Sequence, residues 1–134
     1  MSAAAALRWS LMNGCARKNS ESSTGSPSSE SLRWNAVVAL KGAITHIATP
    51  DGRMWRHEGG NLGLAISGSG DALSGLIVGL ASRGASLEQA AAWGVTLHAR
   101  AGQQLAARFG TLGYLAREIA AEVPTLMDAL GRRR

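Results

Sequence analysis

A glycine-rich stretch, Asn61-Leu-Gly-Leu-Ala-Ile-Ser-Gly-Ser-Gly-Asp71-Ala-Leu-Ser-Gly75, constrains this chain more than any other segment. It runs without a break into Leu73, Leu76, Ile77 and Leu80, which fall at helical spacing until Gly84 ends the run. A glycine loop opening onto a helix presents backbone amides with no side chain over them. The helix start adds unpaired N–H groups and the positive end of a dipole. Together these favour a phosphate or another oxyanion. Asp71, in the first turn, suits a general base acting on a hydroxyl beside that anion. It also suits plain helix capping after a flexible loop, and the local pattern leaves both readings open. Two better-known glycine motifs do not fit. A P-loop needs lysine where Leu76 follows Gly75, and the dinucleotide fingerprint needs glycine where Leu73 stands.

Upstream, Ala36-Val37-Val38-Ala39-Leu40 is a short apolar run ending at Lys41-Gly42, and it predicts a buried strand that needs parallel neighbours. Thr45–Thr49 and Arg53–His57 flank Pro50-Asp51-Gly52 and predict a hairpin. Downstream, Ser86 with Gln89 is a capping-box signature for a helix from Leu87 to about Phe109, with Ala90, Ala91, Leu97, Ala101 and Leu105 inward. Tyr114 to Leu130 is a further helical region that Pro124 should kink or restart, because proline lacks the amide donor. Gly75, Gly79 and Gly94 each lower helix propensity by ~1 kcal/mol, which predicts close packing at those turns. The expected body is α/β: a few strands first, then three or four helices.

Residues 1–34 read as different material from 35–134. They include the low-complexity run from Ser20 to Ser29 and predict a disordered or linker-like tail. Residues 1–20 carry three bases and no acid, a mild likeness to an organelle transit peptide. Charge supports the division. The chain has 14 Lys+Arg against 9 Asp+Glu, yet residues 35–131 hold seven of each. The excess lies in the first segment and in Arg132-Arg133-Arg134, not on a basic face with interleaved aromatics, so nucleic-acid binding is not expected. No apolar run reaches the ~20 residues of a spanning helix, and no membrane role is expected. Cys15 has no second cysteine to pair with, and His46, His57 and His98 show no ligand spacing, so no metal-ligating residue is assigned.

Four separated segments carry a family resemblance: Leu40-Lys41-Gly42-Ala43-Ile44-Thr45, Pro50-Asp51-Gly52-Arg53, Gly60-Asn61-Leu62-Gly63-Leu64-Ala65 and Gly68-Ser69-Gly70-Asp71-Ala72-Leu73-Ser74-Gly75. In order and spacing they resemble the C-terminal part of the ADP/ATP-dependent NAD(P)H-hydrate dehydratases of the ribokinase-like superfamily. The helix containing Gly94, Leu97, His98, Ala101 and Gly102 is also similar. The resemblance implies a partial ribokinase-like fold and repair of hydrated NAD(P)H, using ADP or ATP with Mg2+. It implies Asp71 as the base on the hydrated cofactor, an anion hole at Gly68, Ser69 and Gly70, and a nucleotide border of Lys41, Gly42, Ala43, Ile44, Thr45 and Gly70. Leu62, Ser67 and Gln103 depart mildly from the family pattern. The family fold is roughly twice this length, so the resemblance also implies either a complementing N-terminal half or a homo-oligomer. A cytoplasmic location is expected. The same glycine-Asp element serves small-molecule kinases of the superfamily, and a non-catalytic remnant or subunit is the alternative of a different class.

Overall fold

The computed structural model describes the backbone of residues 15–17 and all of residues 26–132. The remainder of residues 1–25, which holds most of the expected tail and Trp9, lies outside the described residues. Among the described residues, the elements in chain order are β1 (Cys15–Arg17), α1 (Pro27–Trp34), β2 (Val38–Leu40), β3 (Ile44–Ala48) and β4 (Met54–Glu58). A 3-10 turn (Leu62–Ala65) follows, then α2 (Ser69–Ser82), α3 (Leu87–Phe109) and α4 (Ala116–Gly131). The strands form one antiparallel sheet in the order β1-β4-β3-β2.

The expected hairpin is present, with Ile47 opposite Trp55 and Ala48 opposite Met54. Its turn closes through Thr49 N–H to the Arg53 carbonyl and Gly52 N–H to the Thr49 carbonyl, both 2.9 Å. Gly52 sits at φ 83, a conformation that favours glycine. Arg53 also reaches Glu88 in the first turn of α3 at 2.6 Å, which ties the hairpin to the helical layer.

The strand expected over Ala36–Leu40 is corrected in length, partner and burial. It is three residues long, half-buried to exposed, and among the described residues pairs only with β3, antiparallel, at the sheet edge. The connection Lys41-Gly42-Ala43 explains this. Three residues can reverse a chain but cannot make the long crossover a parallel pair requires.

Residues 27–34, inside the segment read as linker-like, form a helix. Ser26 caps it by accepting from Ser29 N–H at 3.2 Å, and Pro27 occupies the first turn, where a missing N–H costs nothing. Ser31 is fully buried, and its hydroxyl reaches the Ala36 and Ala48 carbonyls. That contact pins α1 to β3.

The core has two connected parts organised by α3. One gathers Leu64, Leu97, Ala101, Leu105, Tyr114, Ile119, Val123 and Leu126. The other packs Ile47 and Leu73 against Ala91, Ala92 and Val95. The capping box of Ser86 and Gln89 forms as expected, and so does the inward face of α3. Pro124 neither restarts nor ends α4, which runs through it. Ala120, whose carbonyl loses its partner there, is exposed and can be served by water.

The glycine expectation holds at one of its three positions. A Cβ at Gly94 would lie 2.5 Å from Ile77 Cγ1, so α2 and α3 cross closely there. At Gly75 and Gly79 nothing lies within 4 Å. These glycines share an uncovered face of α2 with Ser74, Val78 and Ser82. Both serine hydroxyls bond back to carbonyls of the same helix. Among the described residues, no helix is long and apolar enough to cross a membrane.

Candidate functional site

The glycine-rich stretch does open a helix. Gly68 is its N-cap at φ 81, a left-handed value, and Ser69 is the first helical residue. The Gly68 carbonyl accepts from Ala72 N–H at 3.0 Å, and Ser69 N–H turns back to the Ile66 carbonyl at 3.3 Å. One of the three amides expected to face an anion is therefore engaged with its own chain. The next two along, Gly70 and Asp71, have no carbonyl one turn earlier within the helix. A Cβ built at Gly70 would meet nothing within 4 Å among the described residues, so the space beside Gly70 is open. Asp71 is exposed at the same mouth.

Ser69 is buried against α3. The Nε2 of His98 lies 3.0 Å from the Ser69 hydroxyl and 3.0 Å from the Ser69 carbonyl oxygen. His98 is 3% exposed. Burial holds its pKa below the ordinary value, the Ser69 carbonyl opposes this, and the nearby Lys41 charge adds to the lowering. Lys41 itself donates to the Leu64 carbonyl at 3.0 Å. That bond carries the reversal between β2 and β3 to the 3-10 turn, one short loop ahead of the helix mouth. Gly42, Ala43 and Ile44 are exposed along this reversal, while Thr45 is buried.

The turn between Asn61 and Ala65 is positioned from behind. Tyr114 donates its hydroxyl to Asn61 Oδ1 at 2.7 Å, and Asn61 Nδ2 is buried with no partner. Burial pushes the Tyr114 phenol up, and the bond to Asn61 opposes this. A Cβ at Gly63 would lie 2.0 Å from the Thr111 carbonyl oxygen, and one at Gly102 would lie 2.6 Å from Leu64 Cδ2. Both glycines are set by packing rather than by a ligand.

The structure thus brings Lys41, the Leu64 carbonyl, Ser69 and His98 into one neighbourhood, with Gly68, Gly70 and Asp71 at its open end. His46 and His57 take no part in it. No group of three or more His, Cys, Asp or Glu side chains among the described residues is placed to hold a metal. Sequence reasoning read His98 as a packed or capped histidine, placed near the site only by the family resemblance, and missed Tyr114. Each acts across a long sequence separation, from residue 98 to 69 and from 114 to 61, so no local pattern signals it.

The family model described as NAD(P)H-hydrate dehydratase matches residues 7–125. The chain belongs to the NAD(P)H-hydrate dehydratase family. It is 55% identical over 100 residues to the ADP-dependent (S)-NAD(P)H-hydrate dehydratase of Xanthomonas campestris, covering 75% of this chain and 35% of that enzyme. It is 41% identical over 87 residues to the bifunctional NAD(P)H-hydrate repair enzyme Nnr of Escherichia coli, covering 65% of this chain and 17% of that enzyme. Among solved structures, the ADP/ATP-dependent NAD(P)H-hydrate dehydratase of Bacillus subtilis, co-crystallised with ATP/Mg2+, superposes with a TM-score of 0.73 at 29% identity. That superposition covers 77% of this chain and 37% of that one. The fold is ribokinase-like, and the chain spans about a third or less of the length of these relatives.

Proposed function

We propose that this chain carries the anion-holding and proton-accepting segment of an ADP/ATP-dependent NAD(P)H-hydrate dehydratase. The observation that carries the reading is the open helix mouth at Gly70. The glycine there lies outside the left-handed region, and a Cβ on it would meet nothing within 4 Å, so nothing among the described residues requires glycine. A ligand approaching the Gly70 and Asp71 amides supplies the missing reason.

Asp71 takes the proton of the substrate hydroxyl as that oxygen attacks the terminal phosphoryl group of the nucleotide, whose bridging P–O bond breaks to release AMP from ADP or ADP from ATP. The amides of Gly68, Ser69 and Gly70 were the expected anion hole. The Ser69 amide is turned back to Ile66, which leaves Gly68, Gly70 and Asp71 as the donors, with Ser69 positioning them. They stabilise charge on the transferred group, which is where phosphoryl transfer gains most. The phosphorylated oxygen then leaves as phosphate, and loss of a ring proton restores the double bond. The reversal from Lys41 to Thr45 borders the nucleotide. Mg2+ would be held chiefly by the nucleotide's phosphates and would offset their charge; among the described residues no group of three or more His, Cys, Asp or Glu is placed to hold it.

The site is completed by polypeptide outside this chain's span. Two surfaces support this: the outer edge of β2, which has no strand beside it among the described residues, and the face of α2 bearing Gly75, Gly79 and Val78, the last 66% exposed. The test mixes the chain with the part of the Xanthomonas campestris enzyme that lies outside the match, then adds hydrated NADH, ADP and Mg2+. Recovery of NADH absorbance is expected from the mixture and not from an Asp71→Ala version of it. NADH recovered by the Asp71→Ala mixture, or none from a mixture that forms a stable complex, refutes the reading. Phosphorylation of a sugar in place of the hydrated cofactor assigns the chain to the kinases instead.

A further inference from the structure

We propose that His98 is a positioning residue that holds the helix mouth in its anion-accepting shape by donating its Nε2 proton to both oxygens of Ser69. The proposal rests on the anion-hole reading for its consequence, but not for its geometry.

The tautomer follows from chemistry. The Ser69 carbonyl oxygen can only accept a hydrogen bond, and it lies 3.0 Å from Nε2. An unprotonated Nε2 would set two lone pairs against each other at that distance. Nε2 therefore carries the proton and shares it between the carbonyl and the hydroxyl oxygen, also at 3.0 Å. The Ser69 hydroxyl proton is left free to point elsewhere. Ser69 is the residue with a side chain between Gly68 and Gly70, two glycines that contribute no side-chain contact of their own.

Without an anchor, a Gly-Ser-Gly segment at a helix start has wide backbone freedom. The imidazole removes that freedom from α3, the most buried helix of the core, by gripping Ser69 through main chain and side chain together. The two bonds that define the cap, Ser69 N–H to Ile66 and Ala72 N–H to Gly68, are then held, and the Gly70 and Asp71 amides are left without a carbonyl one turn earlier in the helix. His98 touches no open surface, so it acts through Ser69 and not on a ligand.

The test compares the wild-type chain with His98→Gln, which keeps a side-chain N–H donor, and His98→Ala, which removes it. Nitrogen NMR of the wild type should show the His98 proton on Nε2. Amide hydrogen exchange at Ser69 and Ala72 should speed up about tenfold or more in His98→Ala, which equals ~1.4 kcal/mol of local opening. Exchange at Leu97 and Ala101 should hold steady, and His98→Gln should recover most of the protection. Pyrophosphate affinity should fall in the same order. A proton on Nδ1, or equal loss of protection along α3 and at the helix mouth in both variants, overturns the assignment. If the exchange pattern appears but wild-type chain binds no pyrophosphate, the positioning role stands and the dehydratase reading fails.

Discussion

Gly63→Ala is the sharpest perturbation of the frame behind the site. The added Cβ would lie 2.0 Å from the Thr111 carbonyl oxygen, 2.7 Å from Tyr114 Oη and 2.8 Å from Tyr114 Cε1. Ordinary contact begins at 3.4 Å, so the shortfall against Thr111 is 3.4 − 2.0 = 1.4 Å, and the obstacle is backbone that cannot rotate aside. Relief must move either the 62–65 turn or the segment after α3. Either movement breaks the Tyr114–Asn61 bond of 2.7 Å. Overpacking of this kind costs ~1–3 kcal/mol, and a lost buried hydrogen bond adds ~1 kcal/mol, so about 3 kcal/mol is expected. For a domain near this size, at ~4 °C per kcal/mol, that lowers Tm by about 12 °C. Calorimetric melts of the variant beside wild type and Gly75→Ala provide the assay. Gly75→Ala meets nothing within 4 Å and should instead raise stability by ~0.5–1 kcal/mol. A Gly63→Ala melt within ~2 °C of wild type would refute the reasoning, since that turn could then tolerate what the geometry forbids.

Stability should also depend on pH in a stated direction. Burial lowers the pKa of His57, with Arg100 adding to it, and burial lowers that of His98. A depressed folded value means the unfolded chain binds more protons. The contribution is therefore complete above the ordinary value near 6.5 and is lost progressively as pH falls below it. Urea midpoints that stay level from pH 7.5 to pH 5 would contradict this. Ser31→Ala removes the fully buried hydroxyl between the Ala36 and Ala48 carbonyls and should cost ~1–2 kcal/mol in urea unfolding, with no change in nucleotide affinity. Gly79→Ala should stabilise the isolated chain yet weaken its association with the complementing segment of a relative, because the methyl occupies the face that segment would cover. Sedimentation of the mixture reads out the second effect.

Much of the fold is legible in local pattern. Leu73, Leu76, Ile77 and Leu80 mark α2. Ser86 with Gln89 starts α3, and Pro50-Asp51-Gly52 closes the hairpin. These signals are short-range and backbone-driven, so one sequence carries them. The strand at Val38–Leu40 misleads because an apolar run reports burial but not its partner. Only the three-residue reversal after it decides the antiparallel pairing. Helix α1 hides in a serine-rich run, where composition argues for a linker. Its cap at Ser26, its proline at the first turn and the burial of Ser31 outweigh that, and burial is a tertiary fact. At the site, Gly68, Ser69, Gly70 and Asp71 are visible as a motif. Which amides are free is not, because Ser69 N–H is taken by Ile66, a bond that depends on the turn geometry ahead of the helix. The contribution of His98 needs the crossing of α2 and α3, which Gly94 permits by its missing side chain.

The most direct test of the anion-holding mouth is an NMR titration of the chain with pyrophosphate, followed at backbone amides. The largest shifts are expected at Gly68, Gly70 and Asp71, with a second group from Lys41 to Thr45. Shifts confined to arginines such as Arg108 or Arg132, with the helix mouth silent, would contradict the central claim.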